Sequence, residues 1–223
     1  MSTSLTSWGP FVIFAALPLL FLATTSFVKL SFVLSLLRNA LGTGQVPSSL
    51  VVAVLAAILS LYVMVPVGAQ MARAVAPAAD RIDWQGEPLQ GASRQAVWDA
   101  LKSGREPLRA FLKRNAGGDE LALFEELAKR KGETDAAGLQ VTREDFLVVV
   151  PAFLITELAE AFEIGFLLFI PFVVIDMVIG AILLALGMHM LSPTSVSLPF
   201  KLLLFVLVDG WSLLSRALIV GYQ

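Results

Sequence analysis

The chain has 223 residues, 57% of them hydrophobic and 15% charged, with a mean hydropathy of +0.80. Soluble domains carry about 25% charged residues, so this is the composition of a membrane protein. A net charge of −2 gives no electrostatic basis for binding nucleic acid, and the lack of cysteine excludes disulfides, thiolate catalysis and zinc–cysteine sites.

The charges are concentrated: residues 72–145 hold 12 of the 16 basic and 13 of the 18 acidic side chains. This divides the chain into an N-terminal apolar helical hairpin (1–71), a polar helical insert (72–145) and a C-terminal apolar helical hairpin (146–223). No Lys or Arg precedes Lys29. A cleaved signal needs a positive n-region, so the first apolar run is expected to be retained. That run, Phe11–Leu37, is interrupted by Pro18 and Lys29, and the second, Leu50–Val67, carries no charge. A bilayer span needs about 20 apolar residues, and both runs qualify. The link RNALGTGQVPSS has the Gly and Pro punctuation of a short loop.

Within the insert, Ala96, Val97, Ala100 and Leu101 fall at helical spacing over Ser93–Gly104. Pro107 is placed to open a second helix, Asp119 to cap a third after Gly117-Gly118, and Thr142–Asp145 to form a capping box. No strand-like alternation, catalytic constellation or basic face is evident. The next apolar stretch, Phe146–Leu191, is too long for one simple span and is expected to kink near Pro171. Gly180 and Gly187 are spaced to lie on one helix face, which permits close helix contact. The turn GMHMLSP (187–193) holds the only histidine and two of the six methionines. A last helix is expected over Leu198–Ile219. Positive charge near Arg38 and Lys201 favours the cytoplasmic side for those connections, which puts the insert and both termini on the periplasmic side.

Ionised groups at a helix centre cost roughly 2.5–3.5 kcal/mol each, so Lys29, Asp176 and Asp209 imply on the order of 8–10 kcal/mol if they face lipid. Arg38, Lys201 and Arg216 are long enough to snorkel to an interface; the aspartates are not. Glu157, Glu160 and Glu163 are spaced i, i+3, i+6 and line one helix face. They form either a solvated edge or an acidic stripe that meets cations of a neighbouring helix or subunit. Buried charges in such numbers point to a homo-oligomer whose copies shield one another.

Four stretches carry a family resemblance: FVLSLLRNALG (32–42), ITELAEAFEIGF (155–166), FIPFVVIDMVIG (169–180) and LPFKLLLFVLVDGWSLL (198–214). They closely resemble the export-gate proteins of bacterial type III secretion systems, the family of SctR in injectisomes and FliP in flagella. The resemblance covers residues 11–71 and 146–221; the insert matches only in position and general character. It implies a bacterial inner-membrane subunit present in several copies, roughly a pentamer. SctS- and SctT-like (FliQ- and FliR-like) subunits stack with it, among other export-apparatus and basal-body ring proteins. It implies that this stack forms the pore through which unfolded secreted proteins enter, and that the stack is lifted toward the periplasm. The N-terminus is more similar to the injectisome branch. In the family a methionine-rich loop projects into the pore. Met188 and Met190 match it, and His189 departs from it where flagellar relatives carry another methionine.

Methionine suits a gate, being unbranched, flexible and polarisable. A ring of His189 side chains would repel when protonated and loosen a seal at low pH; an imidazole tolerating a water-lined pore is the simpler alternative. A copper(I) site of Met188, His189 and Met190 is a third. Two rival functions are distinguishable. An intramembrane aspartyl protease would use Asp176 and Asp209, but VVIDMV and LVDGW lack the GxGD typical of such enzymes. A small-solute transporter would use Lys29, Glu157 and Asp176, but the two apolar halves show no inverted repeat. GTG at 42–44 lacks the following Gly-Lys-Ser/Thr of a P-loop. The sequence thus reads as a non-enzymatic export subunit without cofactor or metal.

Overall fold

The computed structural model describes residues 18, 20–44, 47–83, 91–132 and 140–222, and the chain is all-α across them. The predicted run over residues 11–17 lies outside the described residues. In chain order the helices include α1 (Phe27–Leu41), α2 (Ser49–Ala79), α3 (Gly91–Arg114), α4 (Gly118–Arg130), α5 (Phe146–Ala185), α6 (Pro193–Leu207) and α7 (Gly210–Val220). Among these, α2 and α5 are long and apolar enough to cross a membrane, and the bent pair α6–α7 makes a third span if taken as one. With 15 residues, α1 is about 22 Å long, short of the roughly 30 Å hydrocarbon core.

Several sequence expectations are corrected. Pro107 opens no helix: α3 runs through it for 24 residues. The physical reason is a shared buried face, with Ala96, Ala100, Phe111 and Leu112 all packed inward, so the burial outweighs one missing backbone donor. Asp119 does not cap α4. Gly117 holds that position, while Asp119 and Glu120 sit in the first turn, where negative charge meets the positive end of the helix dipole. Thr142–Asp145 forms half a capping box: the Asp145 carboxylate accepts the Thr142 N–H at 2.6 Å, and the Thr142 hydroxyl turns to the same carboxylate at 3.0 Å. Helix α5 extends over 40 residues and runs through Pro171, a continuity that a proline kink leaves intact.

The chain divides into two compact units, residues 1–26 with 63–157, and residues 27–62 with 158–223. In the first, Phe111 and Phe153 meet at 5.8 Å between ring centres, with Val148, Val149 and Ala152 buried alongside. The Gly117 N–H donates to Thr156 Oγ1 at 2.8 Å, fastening the start of α4 to α5. Ion pairs ring this core: Lys113–Glu144, Arg143–Glu125 and Lys129–Glu125, at 2.6, 2.6 and 2.7 Å.

In the second unit the core is a helical stripe on α1, Leu30, Val33, Leu34, Leu37 and Leu41, packed with Val52, Ala56, Ala161, Phe172, Phe205, Leu214 and Leu218. Gly165 lies where a side chain would strike Leu36, which sets the close approach of α1 to α5. The expected single helix over Leu198–Ile219 is instead α6 and α7, bent by 60° at Val208–Asp209. Asp209 takes a left-handed backbone, φ 50° and ψ 49°, which aspartate tolerates better than most residues. The next residue must be glycine, since a side chain on Gly210 would collide with the Phe205 ring.

Candidate functional site

The loop between α5 and α6 is built by its ends. Gly187 adopts φ +73°, the Gly187 N–H reaches the Leu184 carbonyl at 3.0 Å, and the Met188 N–H reaches the Leu183 carbonyl at 2.9 Å. These two bonds form a Schellman motif, which needs a left-handed residue at that point. Pro193 then occupies the first turn of α6, where a missing N–H is harmless. Between these fixed ends Met188, His189 and Met190 are all exposed, Met190 by 98%.

Two charge clusters lie in the same unit. Lys201 on α6 is buried. It donates to Asp176 Oδ2 of α5 at 2.6 Å and to the Ala40 carbonyl of α1 at 3.2 Å. That carbonyl belongs to the last turn of α1 and has no partner within its own helix. A cation there also meets the negative end of the helix dipole. The Ser197 hydroxyl, one turn before Lys201, is bonded to the Asp176 carboxylate. Gly42, with φ +72°, turns the chain directly beside this cluster; a side chain there would come within 3.3 Å of Thr194 and 3.8 Å of Lys201 Nζ.

The second cluster surrounds Lys29. Its ammonium group lies 2.5 Å from Glu160 Oε2 and 4.3 Å from the centre of the Tyr222 ring, a cation–π geometry. Glu157 is fully buried in the first unit. Glu163, Asp209 and Arg216 are exposed, and Arg38 is half-buried with its buried Nε lacking a hydrogen-bond partner among the described residues. The structure therefore joins Lys201 to Asp176 and Lys29 to Glu160. It brings neither aspartate to the other: Asp176 is held by Lys201, and Asp209 stands at the α6–α7 break. A side chain added at Gly180 would stand 3.8 Å from Pro193, an ordinary contact.

An apolar groove of about 420 Å³ completes the unit, lined by Leu167, Pro171, Leu204, Val208, Leu213 and Ala217 among others. The profile of the FliP family matches residues 11–218. The chain belongs to the FliP family. It is 43% identical over 206 residues to Yop proteins translocation protein R of Yersinia pestis, covering 92% of this chain and 90% of that protein. It is 42% identical over 212 residues to hypersensitivity response secretion protein HrcR of Ralstonia nicotianae, with 95% and 94% coverage. Against flagellar biosynthetic protein FliP of Caulobacter vibrioides the identity is 39% over 216 residues, covering 96% of this chain and 75% of that one.

Reading this FliP-family sequence alone leaves four structural residues unremarked: Ser197, Tyr222, Gly165 and Gly210. Ser197 had a readable signal, a hydroxyl at i−4 from a lysine in an apolar run, which places both on one helix face. Tyr222 had none, because its partner lies at the other end of the chain.

Proposed function

We propose that this FliP-family chain is a core subunit of a type III secretion export apparatus, seated in a bacterial inner membrane. Several copies, roughly a pentamer, assemble with SctS- and SctT-like subunits beside basal-body ring proteins, lifted toward the periplasm. Together they form the pore for unfolded secreted proteins, and the Met188–His189–Met190 loop is its gate. The observation that carries this reading is the exposed loop itself. Apolar side chains on a tight, well-fastened turn are costly in water and become useful when copies gather them around one opening. Thioether chains then seal a bore and yield to varied cargo. The reading gives the chain no chemical step of its own.

The test replaces Met188 and Met190 with alanine in the co-expressed complex. The expected result is intact assembly and membranes that leak small solutes; unchanged permeability in an assembled complex removes the loop from the gate. His189→Met separates the imidazole: equal leak at acidic and neutral pH in both forms means that the ring's charge plays no part.

A further inference from the structure

We propose that the outward face of α3 docks on anionic phospholipid headgroups. The inner face of this helix is fixed: a side chain on Gly104 would meet Val75 of α2 at 2.7 Å, so the two helices are in direct contact there. A flanking, exposed face carries Arg94, Trp98, Leu101 and Arg105 at spacings of four, three and four residues, with Lys102 beside them. These residues therefore form one stripe along the helix. Trp98 is 56% and Leu101 59% exposed. Arg94 and Lys102 form no ion pair among the described residues, and Arg105 reaches only Glu106, at a long 3.8 Å. The nearby acid, Asp99, is already engaged by Arg81 at 3.2 Å. The sequence alone showed no basic face here, because neighbouring acids mask the stripe until their partners are known.

Cations interleaved with tryptophan and leucine are the signature of an interfacial helix, in which the ring and the alkyl chain enter the headgroup boundary and the cations bind phosphate. The position along α2 agrees. Val75 lies eight residues beyond Val67, where the second apolar run ends, about 12 Å further along the helix axis. The headgroup layer adds roughly 5–8 Å to each side of the hydrocarbon core, and arginine and lysine reach several ångströms further. The stripe is the convex side of one helix, a shape suited to a surface. The cations fix the sign of that surface. This inference concerns the chain before neighbours close around it, and it is independent of the export reading.

The test uses the full chain with Trp8, Trp84 and Trp211 changed to phenylalanine, so that Trp98 alone fluoresces, reconstituted as single copies in lipid nanodiscs. The discs contain either phosphatidylglycerol or phosphatidylcholine, each brominated close to the headgroup. The expected result is stronger quenching in phosphatidylglycerol, weakened by salt. Lys102→Gln and Arg105→Gln, exposed changes that leave the helix intact by circular dichroism, should each weaken lipid binding roughly five-fold. Three results overturn the proposal: no quenching in either lipid, equal quenching in both, or quenching indifferent to the glutamine variants. A shift in Trp98 emission that comes only on adding the partner subunits also overturns it, and assigns the stripe to an acidic protein.

Discussion

One ammonium group, on Lys201, holds three helices at once. It neutralises Asp176, occupies the Ala40 carbonyl and is itself out of water. Removing one partner of a buried pair leaves the other uncompensated, so Lys201→Ala is expected to destabilise the protein by about 3 kcal/mol. The check is a thermal melt in detergent. Asp176→Asn together with Lys201→Met removes both charges and should recover much of that loss, because an uncharged, space-filling pair leaves no charge stranded. If the double variant melts as low as Lys201→Ala, charge compensation is not what the pair supplies. The sequence exposed these residues as misfits in an apolar run but not their pairing. Lys29 and Glu160 lie in different helices, α1 and α5, far apart in the chain, and no local period connects them. Gly187 is a mixed case. Its spacing from Gly180 suggests a shared helix face, but α5 ends at Ala185 and Gly187 takes the left-handed turn beyond it, as its place after an apolar run and shortly before a proline signals.

At the level of the helix, apolar composition made α2 and α5 readable, while their internal details were not. PFKLLLFVLVDGWSLL loses hydropathy only over the four residues Asp209–Ser212 at the place where the chain turns by 60°, and within them the Asp-Gly step is the turn signal. A β-branched residue tolerates the left-handed backbone poorly, so Asp209→Val is expected to cost about 1–2 kcal/mol. Asp209→Gly should leave the melting temperature nearly unchanged. Equal damage from both would mean that the aspartate side chain, rather than the backbone angle, matters. Pro107 misled in the other direction, as a boundary residue inside a continuous helix. Pro107→Ala restores a backbone donor. It should raise stability by about 2 kcal/mol, the interior penalty of proline less its gain from restricting the unfolded chain. A lowered melting temperature would indicate that the proline ring packs where alanine leaves a void.

For the molecule as a whole, acid is expected to weaken the insert by breaking its ion pairs. The hydrogen bond from Lys129, followed by that from Arg143, holds the Glu125 carboxyl below its ordinary value of 4.5. Lys113 does the same for Glu144. A carboxyl lowered in the folded state stabilises the fold above its unfolded pKa, and this is lost as pH falls through the folded value. Melting temperature is therefore expected to be level from neutrality down to pH about 5 and to fall below about 4.5. Glu125→Gln should melt lower at neutral pH and show a flatter acid slope. Exposed charges on apolar helices, Glu163 and Arg216, lead to a further expectation: mild detergent should preserve complexes larger than one copy. A single-copy mass at every concentration would remove the assembly from the proposed function.

The Schellman turn and Pro193 leave the loop's main chain little freedom, so any yielding at the proposed aperture falls to the thioether side chains. Rotamer changes of exposed side chains take picoseconds to nanoseconds. Such a diaphragm would re-close behind the trailing end of a polypeptide almost as fast as it departs, with no hinge to reset and no fuel spent on shutting.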